Sequence, residues 1–130
     1  MKNLKKLLLF KFFLITLFIE SHSINQFGTV GENFSPTARF NEAGTLTASI
    51  AYDEDFRRLN LLAQPYEWLE VSIFYSDLVN LDYPAAIDQS YKDKGFNMKI
   101  LLAKESEYMP QFSLGLSDFV GTGLFSGEFF

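Results

Sequence analysis

The sequence predicts an all-β fold of antiparallel up-and-down strands, a partial β-barrel preceded by a signal-peptide helix. Three observations carry this. Between Thr45 and Ser117 the chain repeatedly alternates apolar with small or polar residues, the period of an extended strand with one greasy face. No stretch outside the first two dozen residues shows helical periodicity. The alternating runs reach about eight to ten residues, close to the roughly 9 to 11 of a tilted membrane strand and longer than the roughly five or six usual in soluble sheets.

The chain has 130 residues, room for one small domain once a leader is set aside. Lys2, Lys5 and Lys6 form a positive region, Leu7 to Ile19 an apolar one, and Ser21-His22-Ser23 the small-residue cleavage site. Residues 1–23 therefore read as a secretory signal peptide, their apolar run falling short of the roughly 20 residues of a membrane-spanning helix. With no cysteine in the sequence, an exported chain has neither disulfides nor a thiol to carry lipid, and a Gram-negative envelope is the expected destination. Without residues 1–23, seven basic and fifteen acidic side chains remain, a formal charge of −8, which argues against nucleic acid as a partner. Fifteen Phe require an apolar surrounding, either a packed core or a bilayer.

Residues 24–44, with Gly28, Gly31 and Pro36 and no sustained period, read as an irregular N-terminal segment. Residues 45–130 are the strands. Leu46, Ala48, Ile50 and Tyr52 share one face of the first, and Asp53-Glu54-Asp55 turns the chain. Phe56–Ala63 returns as the second strand, and Pro65 and Tyr66 make the next turn. The third has Leu69, Val71, Ile73 and Tyr75 opposite Trp68, Glu70, Ser72 and Phe74. Ser76–Lys94 has no strand period and reads as the single long loop. Phe96, Met98, Ile100 and Leu102 mark the fourth strand, Glu105–Met109 a turn, Phe112, Leu114 and Leu116 the fifth, and a sixth run begins at Leu124.

The greasy faces need lipid or a second sheet. A long loop after the third strand and short connections after the second and fourth suit a barrel with a periplasmic N-terminus. Thr45, Thr47, Ser49, Ser72, Gln111 and Ser113, opposite the greasy faces, suit a wetted lumen. Five or six strands do not close a lipid-exposed barrel, whose smallest forms have about eight, so the chain reads as a fragment of a longer wall.

The stretch DKGFNMKILLAKESEYMPQFSLGLSDFVGTGLFSGEFF, together with SPTARFNEAGTL and QPYEWLEVSIFYSD upstream, resembles the YjbH-like outer-membrane family of exopolysaccharide biosynthesis proteins. Asp93-Lys94-Gly95-Phe96 and the run Asp118 to Phe125 are its most specific parts, and the resemblance covers roughly residues 26–130. It implies an outer-membrane β-barrel, non-enzymatic, taking part in production or export of an extracellular polysaccharide. The implied partners are outer-membrane lipid, the polysaccharide and other envelope secretion proteins. Full members run several times longer than this chain, and several are lipoproteins, whereas this chain has no cysteine. A porin-like channel and a soluble periplasmic carbohydrate-binding β-sandwich are the alternatives, with an envelope hydrolase as a third.

No catalytic, cofactor or metal constellation stands out. His22, the only histidine, belongs to the leader. Glu70 and Asp118 are the one pair of carboxylates considered for acid and base work, against the plainer reading as solvated or salt-bridged groups. Asp53, Glu54 and Asp55 lack the spacing of a calcium loop. Trp68 with Tyr52, Tyr66, Tyr75 and Tyr83 near strand ends fits an aromatic girdle at headgroup level, with sugar stacking as the other reading. On the family reading Lys99 points into the lumen, where it meets an anionic glycan or pairs with a carboxylate of a neighbouring strand. Lys99, Glu70, Trp68 and Gln111 are the expected lumen or glycan contacts.

Overall fold

The computed structural model describes residues 22–82, 89–122 and 128–130. The signal peptide expected over residues 1–23, Tyr83 and the start of the sixth run at Leu124 fall, wholly or nearly so, outside the described residues. The architecture is all-β. A short hairpin of two-residue strands, β1 (Gly31–Glu32) with β2 (Ser35–Pro36), precedes an antiparallel meander of β3 (Thr45–Tyr52), β4 (Phe56–Tyr66), β5 (Leu69–Asp82), β6 (Ser90–Ala103), β7 (Phe112–Gly121) and β8 (Glu128–Phe129). Each strand of the meander pairs with its sequence neighbour, in the order β3-β4-β5-β6-β7-β8. Among the described residues the sheet is open, with β3 and β8 at its edges, and no closed barrel forms.

The strands of residues 45–75 and 96–117 fall where the alternation places them. The long loop expected over Ser76–Lys94 is instead mostly strand. β5 continues to Asp82 and β6 starts at Ser90, each of 14 residues, with Tyr75↔Lys94, Ser76↔Asp93, Asp77↔Lys92 and Leu78↔Tyr91 in register. The physical reason is that polar side chains occupy both faces of this part of the hairpin. The hydrophobic alternation disappears there while the backbone ladder, which does not depend on side-chain polarity, carries on. β4 likewise runs past Ala63 to Tyr66, with a bulge between the two. Gln64 pins the bulge by donating from Nε2 to the carbonyls of Tyr66 at 2.6 Å and Leu69 at 2.9 Å.

The sheet is inside-out by the standard of a soluble protein. Its exposed face carries Leu46, Ile50, Leu59, Leu61, Ile73, Leu102 and Leu114, with Ile50 at 76% exposure. Its covered face carries Asn60, Gln64, Glu70, Ser72, Ser76, Asp93, Asn97 and Lys99, all buried, whereas the buried apolar residues of the described chain are Val30, Leu62 and Phe74. Water-exposed sheets normally show the reverse, since apolar area gains from leaving water and polar groups lose unless bonded.

The cover is the N-terminal segment. Residues 22–41 are more ordered than their composition suggests: Asn25 N–H donates to Thr29 O at 2.9 Å, Thr37 N–H to Val30 O at 3.0 Å, and Ile24 bridges Val30. Gly28, at φ +82°, sits so close over the Asn60 side chain that a Cβ would lie 2.9 Å from Asn60 Cβ. Only glycine meets both the left-handed backbone and the close approach there. This segment crosses the polar face as a strap.

Candidate functional site: a buried ion pair beneath a strap

Lys99 on β6 and Glu70 on β5 are directly opposite in register, and because their positions alternate with Met98, Ile100, Leu69 and Val71, both point to the covered face. Their side chains are 0% and 1% exposed, and Nζ lies 3.0 Å from Oε2. An ammonium has three donors, and this one also reaches the carbonyls of Arg39 at 2.8 Å and Thr37 at 3.1 Å, with Val30 O at 3.5 Å and the Phe40 ring at 4.7 Å. Glu70 Oε1 accepts from Val30 N–H at 3.3 Å. The ion pair is thus clamped onto the main chain of the strap. A buried pair is tolerable only when its remaining lone pairs and protons find such partners.

The same pattern recurs along the sheet. Asn97, opposite Ser72, donates from Nδ2 to Phe27 O at 2.8 Å and Ser72 Oγ at 3.0 Å, while its Oδ1 accepts from Asp118 N–H at 2.9 Å and Ser117 Oγ at 3.2 Å. Asn60 Nδ2 donates to Gln26 O at 3.3 Å and Ser49 Oγ at 3.2 Å. Gln111 donates to Ala38 O. Further along, Arg58 lies 4.0 Å over the Phe74 ring and 5.3 Å from that of Phe27, its Nε donating to Ser76 Oγ. Gly95, the register partner of Phe74, leaves room for that ring and for the Asp118 carboxylate, since a Cβ there would meet both.

Of the four expected contacts, Lys99 and Glu70 come together and Gln111 joins them through the strap. Lys99 adopts the neighbouring-strand ion pair that was one of its two readings. Trp68 stands apart at the tip of the β4–β5 turn, 49% exposed and stacked on Tyr66 with centroids 5.6 Å apart and planes 4° from parallel. Beside it Lys104 pairs with Glu67 at 2.6 Å, and Arg39 pairs with Glu105. The Lys104 hydrogen bond, then its charge, holds the exposed Glu67 carboxyl below its ordinary value. A groove of about 650 Å³ opens here, lined among others by Phe40, Glu67, Lys104 and Gln111. Glu70 and Asp118 do not form a couple. Glu70 is opposite Lys99, whereas Asp118 lies against Gly95, a strand position about 13 Å from Lys99 along β6 at ~3.3 Å per residue, and the two carboxyl groups have different charged neighbours, Lys99 for Glu70 and Asp93 and Arg58 for Asp118.

Sequence reasoning missed Asn60 and Asn97. The available signal is a lone amide inside an apolar run: Asn60 between Leu59 and Leu61, Asn97 between Phe96 and Met98.

Residues 23–130 match the family described as exopolysaccharide biosynthesis protein YbjH. The chain belongs to the YjbH family. An uncharacterized lipoprotein, YjbH of Escherichia coli (strain K12), is 36% identical over 111 residues, covering 82% of this chain. The matched part spans 16% of that relative's length. No solved structure matches the chain. The strap, the Lys99–Glu70 pair and the whole meander therefore lie inside the region that this YjbH-family chain shares with its family.

Proposed function

We propose that this chain forms the first strands of an outer-membrane β-barrel with a non-enzymatic role in producing or exporting an extracellular polysaccharide. The observation that carries the reading is the inverted sheet, apolar on its exposed face and polar where it is covered. On β5 the outward run Leu69, Val71, Ile73, Tyr75 lies between Trp68 and Asp77. Those nine steps span about 31 Å along the strand and about 23 Å across the bilayer at ~40° tilt, against an apolar band of ~25 Å in barrels of this kind. Tyr66 and Trp68 at one end and Tyr52 and Tyr75 at the other, all exposed, supply aromatic rings near both limits of the band.

An open edge is untenable in hydrocarbon because its backbone groups have no partner. β3 and β8 therefore require further strands, which the remaining length of a protein like the relative supplies. The word lipoprotein in that relative's name fits an envelope location, and the family description supplies the polysaccharide. On this reading Lys99, Glu70 and Gln111 are lumen residues that hold the strap, and Trp68 is a rim aromatic within reach of headgroups or glycan.

Fractionation of the tagged full-length product tests this. Recovery in the outer membrane, with a mobility that changes on heating in detergent, is expected. Recovery in the soluble periplasm refutes the barrel and favours a carbohydrate-binding sandwich. Deletion of the gene is expected to lower extracellular polysaccharide, while Asp118→Asn, which leaves the buried Lys99–Glu70 pair intact, leaves polysaccharide chemistry unchanged if no hydrolysis is involved.

A further inference from the structure

The outward face of the sheet is apolar through its middle rows and basic at one end. Register defines the rows: Ala48, Leu61, Ile73, Phe96 and Val120 lie side by side, then Ile50, Leu59, Tyr75 and Lys94, then Tyr52, Arg57, Asp77 and Lys92. Arg57, Lys92 and Lys94 are all exposed, and none of them forms an ion pair among the described residues. Asp77 offsets one of the three and is itself engaged by the Ser90 hydroxyl, and the exposed Asp53-Glu54-Asp55 turn lies beyond this last row, past the cations. Directly below the cations a groove of about 590 Å³ runs over Leu59, Ile73, Phe96 and Val120, with Tyr75 and Lys94 at its end. That volume falls within the roughly 300–1,000 Å³ of ligand clefts.

We infer that this groove and its basic rim form a site for a membrane lipid with an anionic phosphate headgroup, the acyl chain lying on Ile73, Phe96 and Val120 and the phosphate meeting Lys94, with Lys92 and Arg57 beside it. The inference rests on the barrel reading, which turns this face toward lipid. Charge decides the occupant. Three cations at the upper limit of an apolar band face the plane where phosphates sit, and apolar surface below them accommodates hydrocarbon but nothing hydrated. A zwitterionic lipid fills the groove equally well and gains little from the rim. Each cation near the headgroup plane favours the anionic lipid by about fivefold.

The test takes the full-length protein folded into vesicles of dioleoylphosphatidylcholine and dioleoylphosphatidylglycerol in equal amounts, released in mild detergent, with retained lipid counted by native mass spectrometry. Folding is scored separately by heat-modifiable mobility. The wild type is expected to retain phosphatidylglycerol preferentially, Lys94→Gln to lose about fivefold of that preference, and Lys92→Gln with Lys94→Gln to lose more. Lys104→Gln, at the opposite end of β6, is expected to change nothing. A folded wild type that retains both lipids equally overturns the site and leaves the barrel standing. An equal loss in Lys104→Gln overturns it too, by showing unspecific attraction. A protein that does not enter the vesicles overturns the barrel reading and the site together.

Discussion

Replacing Lys99 with Met removes one half of a fully buried ion pair while keeping most of the side-chain volume. Glu70, 1% exposed, then keeps a carboxylate with no cation, and the carbonyls of Arg39 and Thr37 lose their donor. Breaking a buried pair from one side costs about 3–5 kcal/mol, and each buried acceptor left unpaired costs about 1–3 kcal/mol. Because Glu70 and Lys99 sit on paired strands while the carbonyls that lose their donor belong to the strap, the strap is the part able to yield. We expect Lys99→Met to raise the opening of residues 22–41 by between about a hundredfold and a few thousandfold, ~3–5 kcal/mol at 1.4 kcal/mol per decade. Hydrogen exchange at Val30 and Thr37, whose amides are bonded within the site, reads this in the folded protein. Lys99→Met with Glu70→Leu should recover the charge penalty, since an apolar pair often replaces a buried ion pair without loss, but not the strap carbonyls. Protection in Lys99→Met within about threefold of wild type would refute the clamp.

Three further outcomes follow from the geometry. Ile73→Arg, in the middle of the exposed apolar face, should destabilise a lipid-inserted sheet by about 2–4 kcal/mol in denaturant titration from vesicles, whereas a water-facing site would tolerate it within about 0.5 kcal/mol. Gly95→Ala forces a methyl into the space of the Phe74 ring and the Asp118 carboxylate and should cost about 1–3 kcal/mol, partly restored by Phe74→Leu; no loss would show that the ring moves freely. The Glu67 carboxyl titrates below its ordinary value because of Lys104. Being depressed, it contributes whatever stability it has above the ordinary carboxylate range and loses it as pH falls through its own lower value. NMR titration of Lys104→Gln should move it back up, and high salt should do so in part.

The strands were legible because one face is almost purely apolar: Leu46 to Tyr52 and Leu69 to Tyr75 each place an apolar residue at every second position of that face. Past Tyr75 the signal vanished although the ladder did not. Asp77, Asn80, Asp82, Lys92 and Asp93 put polar groups on both faces, and period two in hydrophobicity has nothing left to report. The strap was illegible for a different reason. Residues 24–41 bury few apolar side chains of their own and are held by their backbone, which every residue but proline presents alike. Lys99 was legible as an isolated charge in a strand interior, and its neighbour Glu70 as the available carboxylate. Their joint purpose required the strap, which sequence periodicity does not place over them.

That asymmetry says where the specificity of the strap resides. Lys99 and Glu70, Asn97, Asn60 and Gln111 all address carbonyls or amides of residues 26–39, so the instructions for docking are written in the sheet. Side chains of the strap that reach solvent in ordinary backbone conformations, such as Glu32, are free to vary, while Gly28, pressed on Asn60, is not. Glu32→Ala should leave exchange at Val30 unchanged. Gly28→Val should mimic the loss of Lys99, because a branched side chain at φ +82° costs about 1–2 kcal/mol in backbone strain alone before it meets Asn60. If the two variants behaved alike, recognition would have to lie in the strap's own side chains, and the reading of the polar face as a surface for main-chain groups would fail.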